Sequence, residues 1–356
     1  MAITIPSGRV IPIKAKAGGG FQSVGLVAPS GDISWSGTLA HGQTITVSDT
    51  QSRFGARTNV KPLYVNLGDG KPGSSLGRYI GDYYHDTASL SYQTTQKLGQ
   101  IPGAVLADMA AIDAEVGTPK PIFSLSITAS INPIVHYIER WYDFLGDDPN
   151  ALNAGALNLK TNRFWAEPGS PTGNSYFAYQ FAEGACGNIR ALVENPSQTL
   201  PSSRFYSTER CFEGLAWQNE EFVVIQSSEN DVADGNVIHT VNATKRTTDY
   251  GWVTRTASVP TRYDEINTDQ ISNGTGADCK IYTGYHVLDD EFSGVYLGNA
   301  STLGACTKLV RQPQTAWAAG QVQFQAIESF VPISGAYLYV RTGVDAWVAT
   351  SGVLLQ

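Results

Sequence analysis

Charged residues are scarce in this sequence, and it contains no block of lysine and arginine. Only 16% of the 356 residues are charged, and the formal net charge is -8. An acidic chain without a basic cluster is not expected to bind the phosphates of a nucleic acid. Long apolar runs are also missing, since none reaches the roughly 20 residues that a membrane-spanning helix needs. Neither a nucleic acid nor a membrane is therefore predicted as a partner.

Cysteine is rare too, and its spacing excludes the usual zinc motifs. The four cysteines form no CxxC pair, and no histidine follows them at zinc-ligand spacing. We expect buried free thiols, although a Cys186–Cys211 or Cys279–Cys306 disulfide stays open because sequence does not reveal geometry.

The first residues, MAITIPSGRVIPIKAKAGGG, lack the long apolar core of a secretory signal. We therefore expect synthesis in the cytoplasm and release by lysis or within a particle. Residues 1–22 are predicted to form an arm, because Pro6 and Pro12 restrict them to extended or edge positions and three glycines follow as a joint. The arm either docks on a neighbouring subunit or adds a strand to its own domain.

The sequence is rich in turn residues and aromatics, with Gly 36, Pro 17, Tyr 17, Phe 13 and Trp 7. Strong β-formers separated by Asp, Asn and Gly are typical of antiparallel hairpins, most clearly from Trp217 to Ile271. Residues 119–131 alternate as a buried strand does, whereas the apolar spacing over 102–116 favours a helix.

The predicted fold class is all-β, a jelly-roll sandwich flanked by two small β-sandwich modules. The predicted boundaries are an arm over 1–22, an Ig-like module over 23–68, a jelly roll over 69–285 and a second Ig-like module over 286–356.

Particular strings carry a family resemblance. SGTLAHGQTITVSDTQSRFG, with its Phe54-Gly55 turn, resembles Ig-like modules of the IPT/TIG kind. WQNEEFVVIQSS, DVADGNVIHTV, YDEINTDQISNG and GVYLGNASTLGACTKLVRQPQTAW are similar to phage and bacterial surface proteins that pair Ig-like modules with a concanavalin-A-like jelly roll of the laminin-G or polysaccharide-lyase-like kind. The resemblance implies a virion decoration, head-fibre or tail-fibre protein, or a related carbohydrate-binding protein.

One strand and its surroundings offer candidate glycan-binding residues. His136, Arg140 and Tyr142 would share a face of the strand that begins HYIERW. Lys160, Arg163 and His239 are expected on the same concave sheet, where bases and cations would suit an acidic glycan. A polar solvent-facing surface of the sandwich is the competing interpretation.

Hydrolysis is less well supported. A glycosidase needs two facing carboxylates, for which Glu139, Asp143, Glu167, Glu220 and Glu221 are candidates. Glu220 and Glu221 are adjacent, so on a strand they point to opposite faces. No catalytic residue is assigned, and the absence of a catalytic motif favours a role other than that of an enzyme.

No cofactor is predicted, with calcium left open. The acidic turns at Asp147-Asp148 and Asp231–Asp234 offer oxygen ligands, but ordinary Asx turns explain them equally.

The favoured function is that of a virion-surface structural protein, anchored by its arm to other subunits and displaying a lectin-like domain toward glycans. A homo-oligomer is expected, located at the virion surface or outside the cell. One alternative is a polysaccharide lyase acting on acidic glycans. A second is a bacterial adhesin or filament subunit that assembles by strand donation from the arm.

Overall fold

The computed structural model describes residues 2–4, 10–12, 14–15, 21–22, 30–66, 79–84, 90–93, 104–108, 123–127, 131–144, 159–166, 175–181, 189–194, 203–205, 216–257, 262–271 and 279–356. Within these ranges the regular elements are β-strands and two single-turn 3-10 helices, Ser30–Asp32 and Leu303–Ala305. No described helix has the length and apolarity to cross a membrane. The predicted all-β class is confirmed.

The chain forms two compact units, and the first and last parts of the sequence belong to the same one. Residues 1–61 and 291–356 make the terminal unit, and residues 62–290 make the central unit. The sequence predicts two separate modules, over 23–68 and 286–356. Instead, strands from both segments pair within one sheet. Sequence order cannot show a pairing between strands so far apart in the chain.

The terminal unit contains two four-stranded antiparallel sheets. In spatial order the first is β24 (Gln314–Ala318), β25 (Gln321–Gln325), β6 (Thr44–Asp49) and β5 (Ile33–Gly37). The second is β23 (Leu309–Gln312), β22 (Gly294–Gly298), β26 (Tyr337–Arg341) and β27 (Val353–Leu354). Alternating apolar residues of these strands are fully or almost fully buried, among them Ile45, Val47, Val322, Phe324, Val295, Leu297 and Leu338.

The predicted arm contains two small hairpins in its described residues. β1 (Ala2–Thr4) pairs with β2 (Val10–Pro12), and β3 (Lys14–Ala15) pairs with β4 (Phe21–Gln22). Docking of the arm on another subunit stays a prediction.

The central unit contains two larger antiparallel sheets. The eight-stranded sheet runs β19 (Thr244–Trp252), β18 (Gly235–Val241), β17 (Trp217–Ile225), β12 (Ile134–Phe144), β21 (Cys279–Asp289), β10 (Ala104–Asp108) and β9 (Leu90–Gln93), with β7 (Tyr64–Asn66) also paired to β21. The seven-stranded sheet runs β16 (Ser203–Phe205), β15 (Ile189–Glu194), β14 (Ser175–Phe181), β13 (Leu159–Ala166), β20 (Glu265–Ile271), β11 (Phe123–Ile127) and β8 (Tyr79–Tyr84).

Two predictions about individual segments differ from the structure. The helix predicted over 102–116 is wrong where the structure describes it, because β10 pairs on both sides, with β9 and β21. Residues 109–116 lie outside the described ranges. β7 lies within the residues predicted as the first Ig-like module, but it pairs with β21 and belongs to the central unit. The strand predicted within 119–131 is confirmed as β11.

Candidate functional site

Strand β12 lies near the middle of the eight-stranded sheet, between β17 and β21. Successive side chains of a strand point to opposite faces of its sheet. His136, Ile138 and Arg140 therefore lie on one face, and Tyr137 and Glu139 on the other. Arg140 contacts β13 of the seven-stranded sheet, so we call its side the inner face and the side of Tyr137 the outer face.

A fully buried guanidinium is the centre of the inner face. Arg140 Nη1 donates to Glu220 Oε1 of β17 at 3.0 Å, and Nη2 donates to the Thr161 carbonyl at 2.6 Å and to Asn162 Oδ1 at 2.7 Å. His239 Nε2 of β18 lies 3.5 Å from Glu220 Oε2. Burial of an ion pair is tolerated when extra hydrogen bonds satisfy the charged groups, and Asn162 and Thr161 supply them here.

Two further imidazoles complete this inner cluster, which we define as His136, Arg140, Asn162, Glu220, His239 and His286. His136 Nδ1 lies 2.7 Å from Asn162 Nδ2, and the ring centroids of His136 and His286 are 5.8 Å apart. All six side chains are buried. Around them the inner face is apolar, with Ile134, Phe222, Val224 and Leu288 in the same sheet and Phe164 and Ile266 in the facing sheet.

Burial and the charge of Arg140 control ionisation in the inner cluster. Burial, with His286 and Arg140 adding repulsion, lowers the pKa of His136 well below its usual range. Burial and Arg140 lower the pKa of His286 to about 3. Burial opposes ionisation of Glu220, but Arg140 and His239 outweigh it and lower the pKa of this carboxyl. Both His136 and His286 are consequently neutral near pH 7, and Glu220 is charged.

The outer face carries a second arrangement of polar groups. Tyr137 Oη donates to Glu139 Oε1 at 2.9 Å and accepts a hydrogen bond from Asn219 Nδ2 of β17 at 3.1 Å. The ring of Tyr285 lies 5.4 Å from that of Tyr137. We call Tyr137, Glu139, Asn219 and Tyr285 the outer cluster. Its four side chains are at most 2% exposed.

Aromatic rings extend the outer face beyond this cluster. Trp141 of β12 and Trp217 of β17 meet edge to face, with centroids 5.9 Å apart.

Burial, then the neighbouring Glu139 and Tyr285, raise the pKa of Tyr137 well above its usual range. The phenol is therefore held in its protonated form.

A bulge in β21 positions Tyr285. Ile138 pairs with His286, whereas Arg140 pairs with Thr283, so Gly284 and Tyr285 together oppose Glu139. Bulges re-aim side chains and are common beside functional sites. This one places His286 on the inner face and Tyr285 against Tyr137.

The structure brings together three of the six predicted glycan-binding residues. His136, Arg140 and His239 belong to the inner cluster, but they are buried between the sheets, where the sequence analysis expects an open groove. The reason is that the inner face of β12 packs on the second sheet.

Lys160 and Arg163 are predicted to lie on the same sheet as His239, but the structure places them on the other sheet. They belong to β13 of the seven-stranded sheet. Arg163 follows Asn162 directly and so points away from the inner cluster. The side chains of Tyr142 and Lys160 lie outside the described part, while their backbones pair with Ile281 and with Gln180 and Gln270.

Several residues of both clusters were missed by sequence reasoning. The sequence marks Glu220 only as one of two adjacent carboxylates. As predicted, Glu220 and Glu221 face opposite sides of the sheet, since they pair with Ile138 and Tyr137. The signal in the sequence is that HYIERW has polar residues at both sets of alternate positions, which indicates functional groups on both faces of the strand. Asn162, Asn219, Tyr285 and His286 had no local signal.

In the acidic loop between β17 and β18, two carboxylates accept hydrogen bonds from backbone amides. Asp231 Oδ2 accepts from the Ala257 amide at 3.0 Å, and Asp234 Oδ1 accepts from the Ser228 amide at 2.9 Å. No group of three or more potential metal ligands occurs among the described residues. These bonds agree with the turn interpretation; calcium binding stays a prediction, and Asp147-Asp148 lie outside the described ranges.

Cys306 is a buried free thiol, as predicted. Its Sγ lies 3.7 Å from Tyr339 Oη. The alternative Cys279–Cys306 disulfide is therefore wrong, while Cys186 and Cys211 lie outside the described ranges.

No protein-family model matches the sequence, and no curated protein matches it. Solved structures do resemble the fold. The marine PL-14 alginate lyase from Aplysia kurodai is 12% identical, with a TM-score of 0.45, over 64% of this chain and 98% of that chain. The endo-beta-1,4-glucuronan lyase from the fungus Trichoderma reesei is 8% identical, with a TM-score of 0.40, over 67% and 97%.

A Bacillus licheniformis beta-glucanase is 9% identical, with a TM-score of 0.34, over 65% of this chain and 99% of that chain. The protein is of the all-β jelly-roll class, an assignment that follows from the strand pairings described above. The similarities assign no role to any residue. The phage and Ig-like parts of the predicted resemblance stay predictions.

Proposed function

We propose that the central unit binds an acidic polysaccharide on the outer face of its eight-stranded sheet and cleaves it by β-elimination, as a polysaccharide lyase. The observation that carries the proposal is the chain of hydrogen bonds from Asn219 to Tyr137 to Glu139. It joins the three kinds of group that this reaction needs: a donor toward the substrate carboxylate, an acid and a base.

The raised pKa of Tyr137 supports the role of acid for this residue. A phenol whose pKa is raised stays protonated near pH 7, so Tyr137 gives its proton to the oxygen that leaves. Glu139, as a carboxylate, takes the proton from the carbon next to the uronate carboxyl. The electrons of that C–H bond form the new double bond as the C–O bond breaks. An Asn219 N–H stabilises the charge on the substrate carboxylate.

The hydrogen bond between Tyr137 and Glu139 also lets both residues return to their starting protonation states. After elimination Glu139 is protonated and Tyr137 is ionised, and a proton crosses the 2.9 Å contact between Glu139 Oε1 and Tyr137 Oη to restore both. No outside acid or base is required. Because the outer cluster is at most 2% exposed, this face opens when a glycan binds.

Glycan binding without cleavage is the second candidate. It fits the lectin-like, virion-surface role that the sequence analysis favours. Four aromatic side chains on the outer face support it, Tyr137, Trp141, Trp217 and Tyr285, because aromatic rings with a polar group nearby suit contact with sugars.

The experiment incubates the full chain with alginate, glucuronan and, as an uncharged control, a β-glucan. Unsaturated uronate ends are followed by their ultraviolet absorbance. We expect product from a uronate polymer only. Tyr137→Phe should lower kcat by roughly 100-fold or more, since it removes the proton donor, and Asn219→Ala should also raise KM.

The matched control is Tyr263→Phe, which removes a hydroxyl from another buried tyrosine of the central unit and should leave kcat unchanged. Binding of a uronate polymer without any unsaturated product would reject the lyase proposal in favour of the lectin role. Removal of residues 1–20 tests the predicted anchoring of the arm separately, since unchanged particle assembly would reject it.

A further inference from the structure

We propose that Asn162 is a positioning residue that locks His136 as the neutral tautomer with its proton on Nε2 and ties the inner cluster to the strand pair that carries the outer cluster. The first part of the proposal depends on geometry alone. Only its catalytic consequence rests on the proposed function.

Arg140 fixes the orientation of the Asn162 amide. A guanidinium has only donors, so the Asn162 atom 2.7 Å from Arg140 Nη2 must be the carbonyl oxygen. The amide nitrogen therefore faces His136 Nδ1 at 2.7 Å. An amide nitrogen only donates, which makes His136 Nδ1 the acceptor.

A His136 Nδ1 that accepts has no proton of its own. The ring therefore carries its proton on Nε2, which is buried and has no hydrogen-bond partner among the described residues. A second proton on Nδ1 would point at the Asn162 N–H and place a cation beside Arg140. The lowered pKa of His136 agrees with this arrangement.

Among the residues that the structure describes, no other charged or titratable group forms a hydrogen bond with the His136 ring. Glu220 is engaged with Arg140 at 3.0 Å and lies 3.5 Å from His239. His286 approaches His136 ring to ring, with its own pKa lowered to about 3. Asn162, from the opposite sheet, is thus the group that selects the tautomer.

The link to the outer cluster runs through β12 and β17. The Arg140–Glu220 ion pair joins these strands on the inner face, and Tyr137 and Asn219 join them on the outer face. Glu220 is next to Asn219 on β17, and Arg140 is three residues from Tyr137 on β12. Asn162 holds Arg140 in the orientation that reaches Glu220. Disturbing Asn162 should therefore shift the Tyr137–Asn219 geometry without touching the substrate.

The test measures the 15N shifts of the histidine rings in the full chain, with His136 assigned by the loss of its signals in His136→Gln. In the wild-type protein we expect an unprotonated Nδ1 and a protonated Nε2. Because this measurement needs no variant of Asn162, a protonated Nδ1 in the wild-type protein is sufficient to overturn the proposal.

Asn162→Asp then changes a donor into an acceptor at constant size. The carboxylate still accepts from Arg140, but His136 must now donate from Nδ1, so its Nδ1 signal should become that of a protonated nitrogen. The matched control is Asn267→Asp, a buried amide of β20 paired with Arg163 and so on the other face of that sheet. It should leave the His136 signals unchanged, and an unchanged Nδ1 in Asn162→Asp would overturn the proposal.

Activity provides a separate readout. Asn162→Asp should lower kcat roughly 10- to 100-fold, as small displacements of reacting groups do, with KM changed much less. If the wild-type protein produces no unsaturated uronate, the proposed function fails while the tautomer result stands. A normal kcat in a variant whose tautomer has switched would overturn the positioning role alone.

Discussion

At Arg140 a single side chain connects three strands. Its guanidinium belongs to β12, donates to Glu220 of β17 and reaches Thr161 and Asn162 of β13. Charge buried in this way is tolerated only while every donor keeps its acceptor. Removing one member of the Arg140–Glu220 pair should therefore lower the free energy of unfolding more than removing both members does.

Glu220→Gln is expected to destabilise the central unit by about 3–5 kcal/mol, because it leaves the Arg140 charge buried without its counter-ion. Replacing both residues, as Arg140→Met with Glu220→Leu, should cost clearly less than the sum of the two single changes. Urea unfolding measures the free energies of Glu220→Gln, Arg140→Met, Glu220→Leu and the double variant. Glu229→Gln, at an exposed loop position, is the control and should stay within about 0.5 kcal/mol of wild type.

The residue scale also shows what sequence could and could not reveal. Alternation along β12 correctly placed His136 and Arg140 on one face. Alternation could not show which face of β12 packs on the other sheet, since polar residues occur on both faces of the strand. The partner Glu220 lies 80 residues further along the chain from Arg140, and only the pairing of β12 with β17 brings it close.

At the scale of elements, the sequence predicts strands and local hairpins, but it does not predict pairing between strands that are distant in the chain. Hairpin signals in Trp217–Ile271 correspond to β17, β18 and β19, which pair in sequence order. The 102–116 segment showed helical spacing, yet β10 forms because two neighbours offer it a complete set of backbone partners. Local propensity decides little when tertiary pairing competes with it.

Gly37, at the end of β5, allows that strand to turn close to β6. Its φ is +133°, and a Cβ there would lie 2.6 Å from the Thr44 carbonyl oxygen. Gly37→Ala should therefore destabilise the terminal unit by about 2 kcal/mol or more. Gly31→Ala is the control, since a Cβ at Gly31 meets nothing within 4 Å. Equal melting temperatures for the two variants would contradict this account of Gly37.

At the scale of the whole molecule, the central unit is an insertion within the terminal unit. The chain leaves the terminal unit after Lys61 and returns at Glu291. Both ends are held within that unit: Glu291 Oε1 accepts from the Thr58 amide at 2.6 Å, and Arg57 donates to Ser293. The sequence suggested consecutive modules because Ser48 and Gln321, which pair in one sheet, are 273 residues apart.

Acid should affect the two units differently. The unfolded chain binds a proton at each histidine near pH 6.5, whereas folded His136 and His286 resist protonation. The unfolded state then holds more protons, so stability falls as pH drops below about 6.5, by up to roughly 1.4 kcal/mol per pH unit for each histidine. For His286 this loss continues down to about pH 3.

Both His136 and His286 belong to the central unit, so the loss between pH 7 and 5 is expected in that unit. Hydrogen exchange, corrected for the intrinsic rate, should show protection falling in β12, β17 and β21 while β22, β25 and β26 keep theirs. His286→Gln should make the pH dependence of the central unit shallower. Equal losses in both units would contradict the assignment to His136 and His286.

The insertion also sets the order in which the parts of a growing chain become complete. Chains emerge from the ribosome N-terminus first, and domains fold as units. Residues 62–290 are all available before β25 has been made, whereas β6 needs β25 as its sheet neighbour. β6 therefore lacks its neighbour β25 until residues 291–356 emerge, by which time residues 62–290 have been made. The last part of the sequence thus completes the sheet that the first part begins.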